Sequence, residues 1–372
     1  MLTIFDRYLI ERLLQTFVVF LIATYGLYIV IDLFTNIDNF QAETSTYQEL
    51  GQSIVKYYWY HVFEFFELAG PILIVLSAIT VFGLLEKHSE SHPILAAGIP
   101  AFRLLRPVLI GSGLLNLLLI VNQELVLPNL AIELQTKRGA TSASSQKVEP
   151  VYDYFNYMMH IDGSEVVIEE RKIVAASFFL PTEIIRQSYS LEAESAVYMP
   201  ETDEHPGGWM LQNLKGLFDP EMLTDAGRSR ILPQANGRDV FIISDVSFDQ
   251  LYNRGRNLKL LSSAQLIDRI RNPSTGIVPV KAQSLALHAR ITRPILSLLS
   301  IAMALPLVMR RESRSLIANM TICAGVLSGF YLLTQASLIL GSTALLRPDL
   351  AAWFPVIVTG SATVWTSGYI QT

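Results

Sequence analysis

Six apolar stretches of about twenty residues each constrain this chain more than any other feature. They fall at residues 13–34, 62–85, 107–127, 287–309, 315–340 and 350–370. A helix needs about 20 mostly apolar residues to cross the hydrocarbon core of a bilayer. The first stretch follows Asp6, Arg7, Glu11 and Arg12. It is too long for a signal-peptide core, and no small-residue cleavage site comes after it. The second is uncharged from Leu68 to Leu85, and the fourth carries Arg290 and Arg293 in its opening turns. The predicted layout is three spans, a long polar insert and three more spans.

Charge follows the same division. Of the 61 Asp, Glu, Lys and Arg residues, 36 lie in the 157 positions 129–285, or 23%. The other 215 positions hold 25, or 12%. Soluble proteins carry roughly 25%, so only the middle has a soluble composition. This excludes a simple soluble enzyme and a disordered chain. A net charge of −5 offers no counterion release to a phosphate backbone, so no nucleic-acid partner is expected. The lone cysteine, Cys323, rules out an intrachain disulfide and a cysteine-based metal site. An insert of about 150 residues can build a core without such staples.

Lys and Arg in short loops set orientation. With the N-terminus inside, Arg7, Arg12, Lys87, Arg103, Arg106, Arg310, Arg311 and Arg314 lie inside. Lys56, Lys281, Arg290, Arg293 and Arg347 lie outside. Eight against five places both termini in the cytoplasm and the insert on the periplasmic or external side.

Within the insert, alternation and β-branched or aromatic content predict strands. They are residues 152–161, 165–170, 173–180, 191–199, 209–214 and 239–244. Turn signals separate them: Asp162-Gly163, Glu204-His205-Pro206-Gly207-Gly208 and Asn236-Gly237. Residues 139–146, rich in Ser and Ala, read as a linker. Short, evenly spaced strands point to a β-sandwich or jelly roll. Residues 261–270 read as a short helix capped by Ser262 or Ser263. The domains are therefore 1–128, with three spans, 129–285, the β-domain with its linkers, and 286–372, with three more.

No phosphate-binding glycine loop of either common type is present, so no nucleotide cofactor is expected. Gly111-Ser112-Gly113 sits inside a span and lacks the setting of a nucleophile elbow. His88 and His92 flank Glu90 at helical spacing, but Pro93 follows at once, and a solvated loop is favoured over a metal site. The acids in the spans, Asp32, Glu64, Glu67 and Glu124, all fall near outer ends, where reaching out to water is the simple expectation. His288, Arg290 and Arg293 are more telling. The two arginines share a helical face, either as an interfacial anchor or as a cationic rim for an anionic lipid headgroup. Gly325 and Gly329 permit close helix approach, within the subunit or at a seam to a second one.

Several motifs, in order, resemble those of the LptF/LptG (YjgP/YjgQ) permease family. These are membrane subunits of the ABC transporter that extracts lipopolysaccharide. The matching residues are Asp6-Arg7-Tyr8-Leu9, Pro71, Glu90 with Ala96-Ala97-Gly98-Ile99, and Asn122, Glu124 and Pro128. They continue with Ala193, Ala196, Tyr198, Gly208-Trp209-Met210-Leu211, Leu287-His288-x-Arg290, Pro294 and Leu305-Pro306. The resemblance implies six spans (3+3) flanking a periplasmic β-jelly-roll, in the inner membrane. It implies a coupling helix near 86–100, with Glu90, Ala97 and Gly98, docked in a cytoplasmic ABC ATPase dimer. It further implies a paralogous permease subunit, a periplasmic jelly-roll bridge protein, and lipopolysaccharide or a related anionic glycolipid as cargo. Spans one and five would line the lipid cavity.

Two departures stand out. The coupling segment reads Glu90-Ser91-His92-Pro93-Ile94-Leu95, and Pro93 fits the first turn of a helix but not its interior. Ile31-Asp32-Leu33 is acidic where well-known members are basic, which moves the headgroup contact to Arg290 and Arg293 or changes the substrate. The leading reading is a transporter subunit, not an enzyme. The alternative is a membrane-anchored sensor or scaffold whose β-domain binds an envelope partner.

Overall fold

A computed structural model describes residues 3–41, 46–90, 93, 96–100, 102–135, 138, 145–154, 156–168, 170–202, 206–216, 218–234, 237–251, 255–271, 280–308, 316–343 and 345–367. Outside them lie Arg310, Arg311, Arg314, residues 139–144, the turn residues Glu204, His205 and Asn236, and Ser91, His92, Ile94 and Leu95. The chain forms two compact units: 1–134 with 260–262 and 284–372, and 135–259 with 263–283.

The first unit is helical. Its main helices are α1 (Ile4–Gln41), α2 (Tyr47–Lys87), α3 (Phe102–Val121), α4 (Val280–Val308), α5 (Leu316–Ser342) and α6 (Pro348–Ser367). Thr3 and Asp6 open α1 as a reciprocal cap: Thr3 N–H donates to Asp6 Oδ2 (2.8 Å), and Asp6 N–H to Thr3 Oγ1 (3.2 Å). Helix α2 has 41 residues, or about 60 Å at 1.5 Å per residue, twice the hydrocarbon thickness. It ends with Ser89 at φ +57, which lets Glu90 N–H reach Leu85 O at 2.9 Å. Ala97 N–H bonds Pro93 O (3.0 Å), a helical turn beginning at the proline, and Gly98 closes it at φ +75.

Five of these helices, all but α6, are long and apolar enough to cross a membrane. Six were expected. The sixth stretch forms α6, but it is only 20 residues long and includes Asp349, Thr359, Ser361, Thr363 and Thr366; residues 368–370 lie outside the described residues. The core joins Leu9, Leu13 and Phe17 of α1, Ile74, Ala78 and Phe82 of α2, Val108 and Leu115 of α3, and Ile301 and Leu305 of α4. Close approach rests on glycine. A Cβ at Gly70 would sit 2.6 Å from Leu119, and one at Gly111 would sit 2.9 Å from Leu13.

Helix α3 continues through a π-helical turn, Asn122–Val126, closed by Leu127 N–H to Asn122 O. Pro128 explains it. Proline lacks an N–H, and its ring crowds the carbonyl four residues earlier, so the helix widens in the turn before it.

The second unit contains one antiparallel sheet of nine strands. They are β1 (Ser145–Lys147), β2 (Val151–Asp153), β3 (Met159–Asp162), β4 (Glu165–Val167), β5 (Lys172–Leu180), β6 (Tyr189–Met199), β7 (Gly208–Leu214), β8 (Ile231–Pro233) and β9 (Val240–Ile243). Their order is β1-β4-β5-β6-β7-β9-β8, with β2 on β3 and β3 on β5. The expected single strand at 152–161 is instead the hairpin β2–β3. Asp153 accepts the Asn156 N–H at 3.1 Å, and Tyr157 and Met158 take φ +54 and +64, so the chain turns back there. The expected linker 139–146 ends in β1, which pairs with β4. Strand β8 was not foreseen: it has three residues, one of them proline. The short helix Ser263–Arg271 leaves Ser262 just ahead of it.

The fully buried Trp209 centres the sheet's core. Its Nε1–H donates to Val246 O at 3.0 Å, so burying the indole leaves no unpaired donor. Asp153 is also buried, and accepts from Asn156 Nδ2 and Ser244 Oγ at 2.6 Å each. Arg230 Nη1 donates to the side-chain Oδ1 of Asn156.

Candidate functional site

The candidate arginines do not stand alone. Arg290 and Arg293, one turn apart on α4, face Glu67 of α2 and Glu124 of the π-helical turn. Arg293 Nη1 lies 3.1 Å from Glu67 Oε1, and Arg290 Nη1 lies 3.7 Å from Glu124 Oε1. Arg290 also donates to the Leu261 carbonyl at 2.6 Å. With its amide oriented to satisfy both neighbours, Gln123 donates to Glu67 (3.2 Å) and accepts from Arg290 Nε (3.0 Å). Asn122 next to it donates to the Phe63 carbonyl at 3.0 Å. Two acids and two bases thus form a neutral network across three helices. Exposure is uneven: the Arg290 and Glu67 side chains are 7% and 9% exposed, the Arg293 side chain 41%. His288 is half-buried and joins no ion pair among the described residues.

The acids in the spans therefore mostly turn to protein partners, against the expectation that they reach water. Asp32 accepts from Tyr58 O–H at 2.9 Å, and Tyr25 O–H donates to the Tyr58 carbonyl. Tyr28 and Phe65 stack beside this pair. Only Glu64 is largely open, at 45%, with His61 Nε2 3.9 Å away. Low dielectric explains the pattern, since a carboxylate inside an apolar bundle gains more from a donor than from a distant surface.

At the other end of the bundle, Glu90 meets α1. Tyr8 O–H lies 3.3 and 3.2 Å from its two carboxylate oxygens, and Arg12 Nη1 lies 3.5 Å away. Ala97 and Gly98 sit in the exposed turn beyond. Gly325 and Gly329 on α5 meet nothing: a Cβ at either would have no atom within 4 Å. Among the described residues they pack against no helix. Among the described residues no three His, Cys, Asp or Glu side chains form a metal-binding group.

Asn122 was singled out in the sequence, but Gln123 and Tyr58 were not. Gln123 carries a signal: Asn122-Gln123-Glu124 is a polar triplet inside an apolar run, just ahead of Pro128.

Long apolar helices interrupted by a β-sheet unit define a multi-pass membrane protein with an inserted antiparallel sheet. Residues 7–369 match the family described as lipopolysaccharide export system permease LptF/LptG, and the chain belongs to that family. Its members are membrane subunits of a transporter, so the chain is a permease and not an enzyme. No individual curated protein matches it.

Proposed function

We propose that this chain is one half of the membrane domain of an ABC transporter. It extracts lipopolysaccharide, or a related anionic glycolipid, from the inner membrane. It passes the lipid through its periplasmic β-domain towards the outer membrane, driven by a separate ATPase. The observation that carries this reading is the family match over residues 7–369. Residues 1–128 and 286–372 form the membrane part, with α6 as the sixth span and both termini cytoplasmic. Residues 129–285 form the periplasmic domain, whose sheet curls into a jelly roll that adds an edge strand to a jelly-roll bridge protein.

Glu90, Ala97 and Gly98 belong to the coupling segment that docks in the cytoplasmic ATPase dimer. A helical turn starting at Pro93 supports this. Gly325 and Gly329 form a seam to the paralogous permease subunit, supported by the empty space around them. The headgroup contact runs through Arg293, the more exposed of the two arginines, and His288, with Arg290 anchoring the network. A phosphate reaching Arg293 competes with Glu67 for its fork of N–H donors.

The test is co-purification of the chain with an ABC ATPase and a second permease. Gly98→Trp is expected to abolish lipid export. An isolated chain, or export unchanged in Gly98→Trp, contradicts the coupling assignment. Arg293→Glu is expected to reduce crosslinking of the lipid to the spans, and unchanged crosslinking removes the headgroup role.

A further inference from the structure

Three contacts clasp Glu90 to the start of α1. Tyr8 and Arg12 lie one turn apart on one face. The Arg12 guanidinium covers the Tyr8 ring at 4.9 Å from its centroid, and both side chains reach the same carboxylate. The Glu90 backbone is held independently, because its N–H closes the end of α2 on Leu85 O. Three residues later the chain enters the turn that begins at Pro93. Glu90 is thus the joint where the end of α2, the foot of α1 and the segment beyond come together.

The clasp is poorly placed to act as a stabiliser. Arg12 and Glu90 are 29% and 31% exposed, and an ion pair that solvent reaches contributes little. Its value is positional. Leu9 and Leu13, on the turns around it, are fully buried, so the foot of α1 is gripped by the bundle. Beyond the foot, α1 leans on α2 through Tyr25, Tyr28 and Asp32, so a movement received at the foot is passed along the α1–α2 face. A push on the Pro93 turn reaches Glu90 within three residues of chain, and Tyr8 and Arg12 are the side chains that receive it.

We propose that Tyr8 and Arg12 are positioning residues that pass movement of the coupling segment to α1. This rests on the coupling role proposed above. The ion pair supplies direction and the tyrosine hydrogen bond fixes the carboxylate plane, so the two act as one unit. Removing either loosens the joint. Removing both separates α1 from the segment and leaves Glu90, Ala97 and Gly98 themselves in place.

The test uses the complete transporter in proteoliposomes loaded with lipopolysaccharide, comparing wild type with Tyr8→Phe, Arg12→Gln, the double variant and Arg12→Lys. Three quantities are read: ATPase association, ATP hydrolysis and lipid extraction. The double variant is expected to keep association and hydrolysis while extraction falls about tenfold, within the range of coupling between distant sites. Arg12→Lys, which keeps the charge, is expected to recover most of it. Unchanged extraction in the double variant overturns the proposal. So does a loss of association that matches the loss of extraction, because the clasp would then serve docking. Should the double variant fail to fold, Tyr8→Phe alone decides, since it removes one hydroxyl and keeps the ring. A wild-type chain that recruits no ATPase sinks the permease reading and this one with it; an intact complex with unchanged extraction sinks only this one.

Discussion

Helices α2, α3 and α4 bury 56%, 50% and 44% of their most apolar windows, whereas α1 and α5 bury 6% and 11%. The two sets are similarly apolar: mean hydropathy is 2.4, 2.0 and 1.8 against 2.2 and 1.6. Apolarity therefore does not decide which helices pack. In a bilayer the lipid tails are as apolar as leucine, and helices associate through small residues and polar contacts instead. The packed set has both. Gly70 and Gly111 admit close neighbours, and Glu67, Gln123, Glu124, Arg290 and Arg293 tie three helices together. Helix α5 has the small residues, Gly325 and Gly329, with nothing against them. The packed helices form a finished core, α1 joins it through Leu9, Leu13 and Phe17, and α5 holds the means of packing in reserve at Gly325 and Gly329.

The strongest way to break this contrast is to remove the polar tie. Arg290→Ala strips Glu124 and Gln123 of their buried partner and is expected to cost about 3–5 kcal/mol, read as thermal unfolding of the full chain in mild detergent. A cost near zero would mean the network does not hold the core. Next in size is a glycine comparison. Gly111→Leu drives a side chain into Leu13 and Ile10 and should cost about 1–3 kcal/mol. Gly325→Leu and Gly329→Leu should change the lone chain by less than about 0.5 kcal/mol, yet reduce recovery of a second permease subunit. Equal costs at Gly111 and Gly329 would erase the distinction between finished and bare helices.

The smallest expected effect lies in the β-domain, whose polar groups are paired internally as in the packed helices. Burial, and after it the Asp153 and Glu201 carboxylates, raise the Asp245 carboxyl above its ordinary value, with Arg230 opposing. A carboxyl raised in the folded state is destabilising once ionised, and that cost disappears as pH falls and the group takes up its proton. Asp245→Asn should therefore slightly raise the unfolding temperature of the β-domain at neutral pH. The gain should shrink towards pH 4. A gain that grows on acidification would contradict the assignment.

The apolar runs and the alternating strands β5, β6 and β7 were legible because each pattern is local. Arg290 and Arg293 were legible as a pair on one face. Their partners were not: 226 positions separate Arg293 from Glu67, and no local pattern announces such a contact. The hairpin at Asn156 was hidden because one Asx turn interrupts a run that otherwise alternates. Strands β1 and β8 were too short to show a period. The clasp on Glu90 needed α1 and α2 to be brought together, although Tyr8 and Arg12 were visible at helical spacing.

The central claim is that the bare face of α5 is completed by another permease half. A photoreactive residue at Gly329, in cells carrying the whole export system, tests it directly against a control at Leu117 of α3. Leu117 is 56% exposed, on the outward face of α3 that also carries Ile110 and Leu114. The account predicts a covalent adduct between Gly329 and a second permease chain, and lipid adducts alone at Leu117. Lipid adducts alone at both positions would contradict it.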